Sequence, residues 1–367
     1  MMAFIKKEAV LCIATLLALI TAFIVPPGEE YLGYINFRVL GLLFSLMTVV
    51  AGLRKTQVMD AMAEKLAYSC KNMRSLAFIL TGLCFFVSMF VTNDVALLTF
   101  VPLTISVLTL CGEAEYIIYI VVMETVAANM GSMLTPMGNP QNLYLADFYS
   151  IGTGDFFKAT VPVWLISGIL ISLLLLWVKK DALSSELNGN TYNIDKRLSI
   201  MYFILGLVAV LSVFNVINYA VSVIIVLIAV VIFDRRVLWR VDWFLLLTFV
   251  MFFIFVGNAA EIETVRNFFG GLAEGRELLV GALLSQIISN VPAAVMLSSF
   301  THNGTALMIG VDIGGLGTPV ASLASLISYR IYCELGNDSP RKFMKCFLGI
   351  NFGMLAVLLI FAFVYYL

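Results

Sequence analysis

Residues 129–148 read NMGSMLTPMGNPQNLYLADF. They follow the apolar run YIIYIVVMETVAA (116–128) and precede VPVWLISGILISLLLLWV (161–178). A helix in lipid must satisfy every backbone N–H and C=O internally, because no water is there to bond them. Pro136 and Pro140 each remove a donor, and the glycines and asparagines around them are poor helix formers. The stretch therefore predicts a helix broken at membrane depth. Such a break is tolerated only where the freed groups are buried in protein or line a cavity.

Composition supports a membrane setting. The chain has 367 residues, 61% hydrophobic and 12% charged, against about 25% charged in soluble domains. Its mean hydropathy is +1.01. Windows 8–25, 158–178 and 346–367 reach the length of about 20 apolar residues that spans a bilayer. The expected class is an all-α polytopic membrane protein; the alternating strands of a barrel are not seen in the sequence. The basic start and long apolar run at 1–27, without a small-x-small cleavage site, read as a retained first helix. Cys12, Cys70, Cys84, Cys111, Cys333 and Cys346 show no CxxC spacing and read as apolar filler. A single histidine, His302, excludes a His-rich metal site and reads as an external loop residue. The net charge of −1 gives no sign of a nucleic-acid partner. No soluble domain is expected, the longest polar loop being 179–197.

Most of the 22 basic residues fall in five clusters. These are Lys6/Lys7; Arg54/Lys55/Lys65/Lys71/Arg74; Lys179/Lys180/Lys196/Arg197; Arg235/Arg236/Arg240; and Arg330/Arg341/Lys342/Lys345. The loops between them are acidic or neutral. Placing the clusters in the cytoplasm gives a consistent zigzag if segments 76–110 and 278–300 each enter and leave on one side. Each has a polar centre, VTND (91–94) and ISNVP (288–292), as a re-entrant hairpin would. Nine full spans then place the N-terminus inside and the C-terminus outside a cytoplasmic membrane.

The opening stretch has a partner within the chain. GSMLTPMGNPQNL (131–143) aligns with GGLGTPVASLASL (314–326), with Thr135-Pro136 and Thr318-Pro319 183 positions apart. The same offset pairs Asn129 with Asp312. Each segment follows a hairpin with an asparagine at its tip, Asn93 or Asn290. The chain thus divides into 1–75, scaffold helices and a cytoplasmic linker; 76–178, a first repeat; 179–257, a loop and scaffold helices; and 258–367, a second repeat. The first repeat holds hairpin 76–110, broken helix 115–149 and helix 158–178. The second holds hairpin 278–300, broken helix 304–333 and helix 343–367. Hairpins entering from opposite sides make the repeat inverted, a construction of secondary transporters with their site at the repeat interface.

TNDVALLTFVPL, TPMGNPQNL and SNVPAAVML resemble the ion transporter superfamily, which includes divalent-anion:sodium symporters, citrate–metal symporters, arsenite permeases and some sodium:proton antiporters. The resemblance covers most of the chain. It implies an elevator-type carrier, often dimeric, with hairpins and broken helices moving against a scaffold. The tips depart from the Ser-Asn-Thr of the dicarboxylate branch. They read Thr92-Asn93-Asp94 and Ser289-Asn290-Val291, the first closer to the arsenite and sodium:proton branches.

Two hairpins and two broken helices direct four helix starts and four helix ends inward. Starts carry partial positive charge and suit an anion; ends suit a small cation. No Lys or Arg lies in the tips or breaks, so backbone N–H groups, hydroxyls, amides and bound cations must hold any anion. The candidate binding residues are Thr92, Asn93, Asp94, Thr135, Gly138, Asn139 and Asn142, with Ser289, Asn290, Gly317, Thr318 and Ser322. Asn93 and Asn142 serve equally as helix caps. Pro292 fits a first helical turn. Gly314, Gly315 and Gly317 suit either close approach to a ligand or tight helix packing. Asp94, Glu124 and Asp312 are carboxylates at membrane depth and hence candidates for proton coupling; a structural partner is the alternative for each.

The leading expectation is a secondary active transporter of a small anion or oxyanion, carboxylate or arsenite-like, coupled to H⁺ or Na⁺. The alternatives are a sodium:proton antiporter and a non-transporting receptor or structural protein. Neither cofactor nor metal beyond a coupling Na⁺ is expected. The chain has no GxSxG, paired catalytic aspartates or GxxxxGK[ST]; this argues against an enzyme, and a separate ATPase subunit is left open.

Overall fold

The computed structural model describes residues 8–68, 70–182, 194–335 and 339–366. Lys6, Lys7, most of the 179–197 loop and Leu367 lie outside the described residues. The described residues are helical, with one isolated bridge between Asn72 and Ala182 and no strand.

The N-terminal apolar run forms α1 (Ala9–Ala22), followed by short α2 (Glu30–Tyr34), α3 (Phe37–Lys55) and α4 (Val58–Tyr68). Then α5 (Met73–Val91) and α6 (Asn93–Leu110) meet through one residue, Thr92. The opening stretch separates α7 (Ile117–Ser132) from α8 (Pro140–Phe148), and α9 (Thr153–Leu175) follows. Next come α10 (Lys196–Val213), α11 (Tyr219–Asp234), α12 (Trp243–Glu261) and α13 (Glu263–Ala273). Ser289 joins α14 (Glu277–Ile288) to α15 (Asn290–Ser298). The second Thr-Pro segment separates α16 (Gly304–Gly314) from α17 (Leu323–Glu334), and α18 (Pro340–Tyr366) is the last helix.

Polar residues set where these helices begin. The side chains of Asn36, Asn72, Asn139, Asp195, Asn218, Asp242 and Asn303 each accept a first-turn N–H, which satisfies donors a helix start leaves open. Apolar side chains such as Phe203, Leu207, Ile228, Ile232, Ile360 and Val364 stand outward on α10, α11 and α18. By contrast α7 is buried on every face from Ile120 to Ser132, as a helix apolar all round should be.

Among the described residues, seven helices are long and apolar enough to cross a membrane: α3, α5, α6, α9, α10, α12 and α18. Both arms of the 76–110 segment are among them, at 19 and 18 residues. The arms of the second hairpin have 12 and 9 residues, short of a span. The two hairpins therefore differ in reach. Each broken helix falls below span length because the Thr-Pro segment divides it.

Two packed groups emerge. α3 packs with α10 and α11, and α12 with α1. The hairpins and broken helices pack among themselves and with α9 and α18. Within this second group, α17 packs on α6 and α7, while α8 packs on α15 and α16. Each second half-helix thus lies on the hairpin arm and first half-helix of the other repeat. Small residues let the first half-helices close on their own hairpins. A Cβ on Gly131 would lie 2.0 Å from the Phe85 carbonyl oxygen, and one on Gly314 would lie 2.7 Å from the Ala282 Cα. Gly314 therefore serves packing.

Gly131→Ala should lower the melting temperature of the purified protein, since overpacking costs about 1–3 kcal/mol. Gly82→Ala, where a Cβ meets nothing within 4 Å, should leave it equal or higher because alanine favours helix. Thermal unfolding in detergent checks both.

Candidate functional site

The site begins at two strained residues. Thr92 has φ 75 and ψ 150, and Ser289 has φ 77 and ψ 154. This region is essentially reserved for glycine and costs about 1–3 kcal/mol; for β-branched threonine it is an outlier. Both tips adopt it, and equivalent hydrogen bonds hold both. The Asn93 N–H donates to the Gly138 carbonyl at 3.2 Å, and the Asn290 N–H to the Ala321 carbonyl at 2.9 Å. Each asparagine Oδ1 accepts the next N–H, Asp94 at 3.0 Å and Val291 at 2.9 Å. The Thr135 hydroxyl donates to the Met89 carbonyl at 2.5 Å, and that of Thr318 to the Gln286 carbonyl at 2.9 Å. Each hairpin tip is thus tied to the break of its own repeat.

The breaks are then tied across the repeats. Asn129 Oδ1 accepts from Asn93 Nδ2 and from the Ser322 hydroxyl, both at 3.0 Å. Asp312 Oδ1 accepts from Asn139 Nδ2 and Gln141 Nε2, both at 3.2 Å. Asn139 and Ser322 are the residues before α8 and α17. The residue at the 129/312 position of each repeat therefore bonds the start of the other repeat's second half-helix.

These bonds surround a small void of about 10 Å³ lined by Asn93, Asp94, Pro140, Gln141, Asn290, Val291, Ser322 and Leu323, with Leu245 of α12. That volume is about one water or small ion. The starts of α6, α8, α15 and α17 all meet there, which concentrates partial positive charge. No Lys or Arg is among the lining residues. Asp94 and Leu245 also line a neighbouring cavity of about 690 Å³, whose wall carries Arg54, Lys55, Arg240 and Asp242.

Of the residues expected to bind, Asn93, Asp94, Asn290 and Ser322 line the void, and Thr92 lines the larger cavity. Thr135 and Thr318 turn their hydroxyls to hairpin carbonyls. Gly138 offers its carbonyl to Asn93, and a Cβ there would meet the Ser132 oxygen at 2.0 Å. Asn139 caps α8 while bonding Asp312, and Asn142 Nδ2 donates to the Met133 carbonyl at 3.2 Å. The Ser289 hydroxyl reaches the Ala321 carbonyl at 3.4 Å. Gly317, at φ +102, lies against the Gln286 amide oxygen.

Glu124 is elsewhere. Its Oε1 accepts from the Thr104 hydroxyl at 2.5 Å inside the first repeat, and it does not line the void. His302 is exposed in the turn between α15 and α16. The six cysteines, all among the described residues, form no disulfide.

Three site residues carry no signal that repeat matching detects. Gln141 reaches both the void and Asp312. Gln286 donates to the Gly314 and Leu316 carbonyls at 2.8 and 2.9 Å and accepts the Thr318 N–H at 2.9 Å. Leu245 comes from a helix outside both repeats. Only Gln141 had a visible cue, its place between Pro140 and Asn142.

Residues 1–306 match the family model described as Citrate transporter. An uncharacterized transporter of Methanocaldococcus jannaschii is 34% identical over 325 residues, covering 88% of this chain and 87% of its own. The inner membrane protein YbiR of Escherichia coli is 29% identical over 316 residues, covering 84% of each chain. Among solved structures, the YdaH transporter of Alcanivorax borkumensis shares the fold, with a TM-score of 0.53 and 12% identity over 92% of this chain and 87% of that one.

Asn129→Leu removes the acceptor shared by Asn93 and Ser322 and leaves two buried donors unpaired. At about 1–3 kcal/mol per unsatisfied group, it should lower the melting temperature well below that of Met123→Leu, a volume-conserving apolar change on the same buried helix. Parallel thermal melts of the two variants provide the check.

Proposed function

Since this chain belongs to the citrate transporter family and is thereby a membrane transporter, we propose that it moves a small anion or oxyanion, carboxylate or arsenite-like, by secondary active transport coupled to H⁺ or Na⁺. One observation carries the anion reading. Four helix starts and two tip amides meet at one void whose lining has no fixed cation; at about 10 Å³ it takes a single anionic oxygen, the rest of the anion lying in the adjoining cavity of about 690 Å³ that Asp94 also lines. Helix starts bind anions through open N–H groups and their dipoles. The family description, Citrate transporter, supports a carboxylate.

Reciprocal contacts support an inverted repeat. Asn139 bonds Asp312 as Ser322 bonds Asn129, and such exchanged pairs are what a two-fold relation generates. An elevator step would slide the hairpins and broken helices against α3 and its neighbours. α3 touches that group at both ends: Arg38 pairs with Asp147 of α8 at 2.9 Å, and Arg54 donates to the Leu98 carbonyl of α6 at 3.1 Å. Both contacts would exchange during the step. The larger cavity carries Arg54, Lys55 and Arg240 beside Asp60, Asp94 and Asp242; its basic residues belong to the clusters assigned to the cytoplasm, which fits a mouth on the inner side of a cytoplasmic membrane, with the N-terminus inside and the C-terminus outside. A homodimer is part of the same proposal.

Asp94 favours a second reading. It faces both the void and the larger cavity, as a cation-binding acid in a sodium:proton antiporter would.

Proteoliposome flux screened over carboxylates, oxyanions and Na⁺, with and without a pH gradient, tests the proposal. We expect substrate-dependent uptake, reduced at least about tenfold by Asn93→Ala or Asn290→Ala. Each removes a charge-assisted contact of about 1.5 kcal/mol or more. Asp94→Asn should change coupling while sparing anion exchange. Na⁺-driven proton flux without any anion substrate, abolished by Asp94→Asn, would select the antiporter. No flux of any kind would exclude both.

A further inference from the structure

We propose that Asp312 is a proton-binding site, holding its proton on Oδ2, and that its protonation state is relayed to the void through Gln141. The observation behind this is a mismatch between two equivalent positions. Asn129 and Asp312 occupy the same place in the two repeats and both bond the opposite half-helix start. At Asn129 a neutral amide does the work. At Asp312 a carboxyl does it, 2% exposed, with Oδ1 accepting from Asn139 and Gln141 and Oδ2 without a partner.

The surroundings of Asp312 offer a carboxylate amide donors and the start of α8, but no ionised partner. α16 packs against α7, α8, α9, α14, α15 and α18. What these helices turn toward the carboxyl are the amides of Asn139, Gln141 and Asn142; none brings a Lys, Arg, His or second acid into electrostatic contact with it. An isolated buried carboxylate is costly, and in proteins it is paired or made neutral. A metal ion fits poorly. The two amide NH₂ groups aimed at Oδ1 are donors, whereas Na⁺ requires a shell of oxygen ligands. A proton fits. Oδ2–H needs one acceptor; the Asn142 side chain is buried beside Asp312 and its Oδ1 has no partner, so turning that amide over would supply one. Protonation forms one O–H bond and converts the carboxyl into a neutral counterpart of Asn129.

Glu124 also has one bonded and one open oxygen. It differs in position, since its bonded neighbour is Thr104 and neither residue lines the void. Asp312 is one side chain removed from the lining. Gln141 Nε2 holds Asp312 Oδ1, and Gln141 is itself part of the wall with Asn93 and Asp94. Losing the proton places a negative charge behind the start of α8 and strengthens its grip on the Gln141 and Asn139 amides. That opposes an anion in the void. Proton and anion would therefore bind with positive coupling.

The coupling role rests on the transporter reading of the preceding section; the protonation does not, and the test separates them. Infrared difference spectroscopy of the purified full-length protein should show the C=O stretch of a protonated carboxylic acid, sensitive to H/D exchange. Asp312→Asn should remove that band and Glu124→Gln should leave it. The structure already accommodates an amide at the equivalent position, Asn129. Should Asp312→Asn still fail to fold, Asp312→Glu serves instead, and must move the band because the longer acid leaves its amide partners. Equal spectra for wild type and these variants, or the absence of any acid band in wild type, would overturn the protonation. In proteoliposomes, using the anion that gives the largest flux in the screen, Asp312→Asn should retain exchange and lose accumulation driven by a pH gradient. Unchanged pH-driven accumulation would overturn the coupling role. No flux in wild type would remove the transporter reading and leave the infrared result standing.

Discussion

Everything near the centre of this protein follows from the need to satisfy backbone groups where two helices break in the buried interior. Each Thr-Pro segment frees carbonyls and N–H groups that neither water nor the helix itself can bond. The hairpin tips meet that need. Asn93 and Asn290 donate their N–H groups to the break carbonyls of Gly138 and Ala321. The Thr-Pro threonines return the favour to the hairpins at Met89 and Gln286. The strained backbone of Thr92 and Ser289 is held in place by these exchanges, because the tip N–H groups reach the break only when the chain turns within one residue. A hairpin without its broken helix, or the reverse, would leave buried groups unpaired, so each pair stands or falls together.

A second layer of bonds joins the two pairs. Asn129 and Asp312 sit on first half-helices and hold the opposite second half-helices. Because the exchange runs both ways, the four helix starts converge on one place. The void between them is a consequence of the crossing. The layer is chemically unequal, however. Asn129 faces Asp312, and Met89 faces Gln286, whose amide alone holds two carbonyls and one N–H of the second break. The second repeat is more heavily braced by side chains, which suits its shorter hairpin arms of 12 and 9 residues.

Much of this was legible in the sequence because it is local or periodic. The Thr-Pro pairs, the glycines beside them and the asparagine tips recur at fixed offsets, and composition alone established a helical membrane protein. The 183-residue offset even paired Asn129 with Asp312 before their shared geometry was visible. What remained hidden is long-range. Gln286 aligns with methionine, so no repeat signal marks it. Leu245 enters the site from a helix that belongs to neither repeat. The hairpin contacts of Thr135 and Thr318 are hidden for a related reason. A hydroxyl beside a break reads as a ligand until the position of the hairpin carbonyl that takes its proton is known. The equal length of α5 and α6 to true spans also eluded charge counting, since loops report sidedness and not depth.

The electrostatics of the void bear on the charge of the anion proposed to bind there. Each helix start contributes about half a positive charge, fading within a turn. Four starts therefore supply the equivalent of about two positive charges at the lining. Asp94, in the first turn of α6, offsets part of this when ionised, leaving a field suited to about one negative charge. A more highly charged anion needs further compensation, and the lining has no Lys or Arg to give it. Only two sources remain: a cation bound beside Asp94, or neutralisation of a nearby carboxyl. On the anion reading proposed above, either one would make binding depend on a second ion, so coupling would follow from building the site out of backbone dipoles and leaving fixed cations out of it.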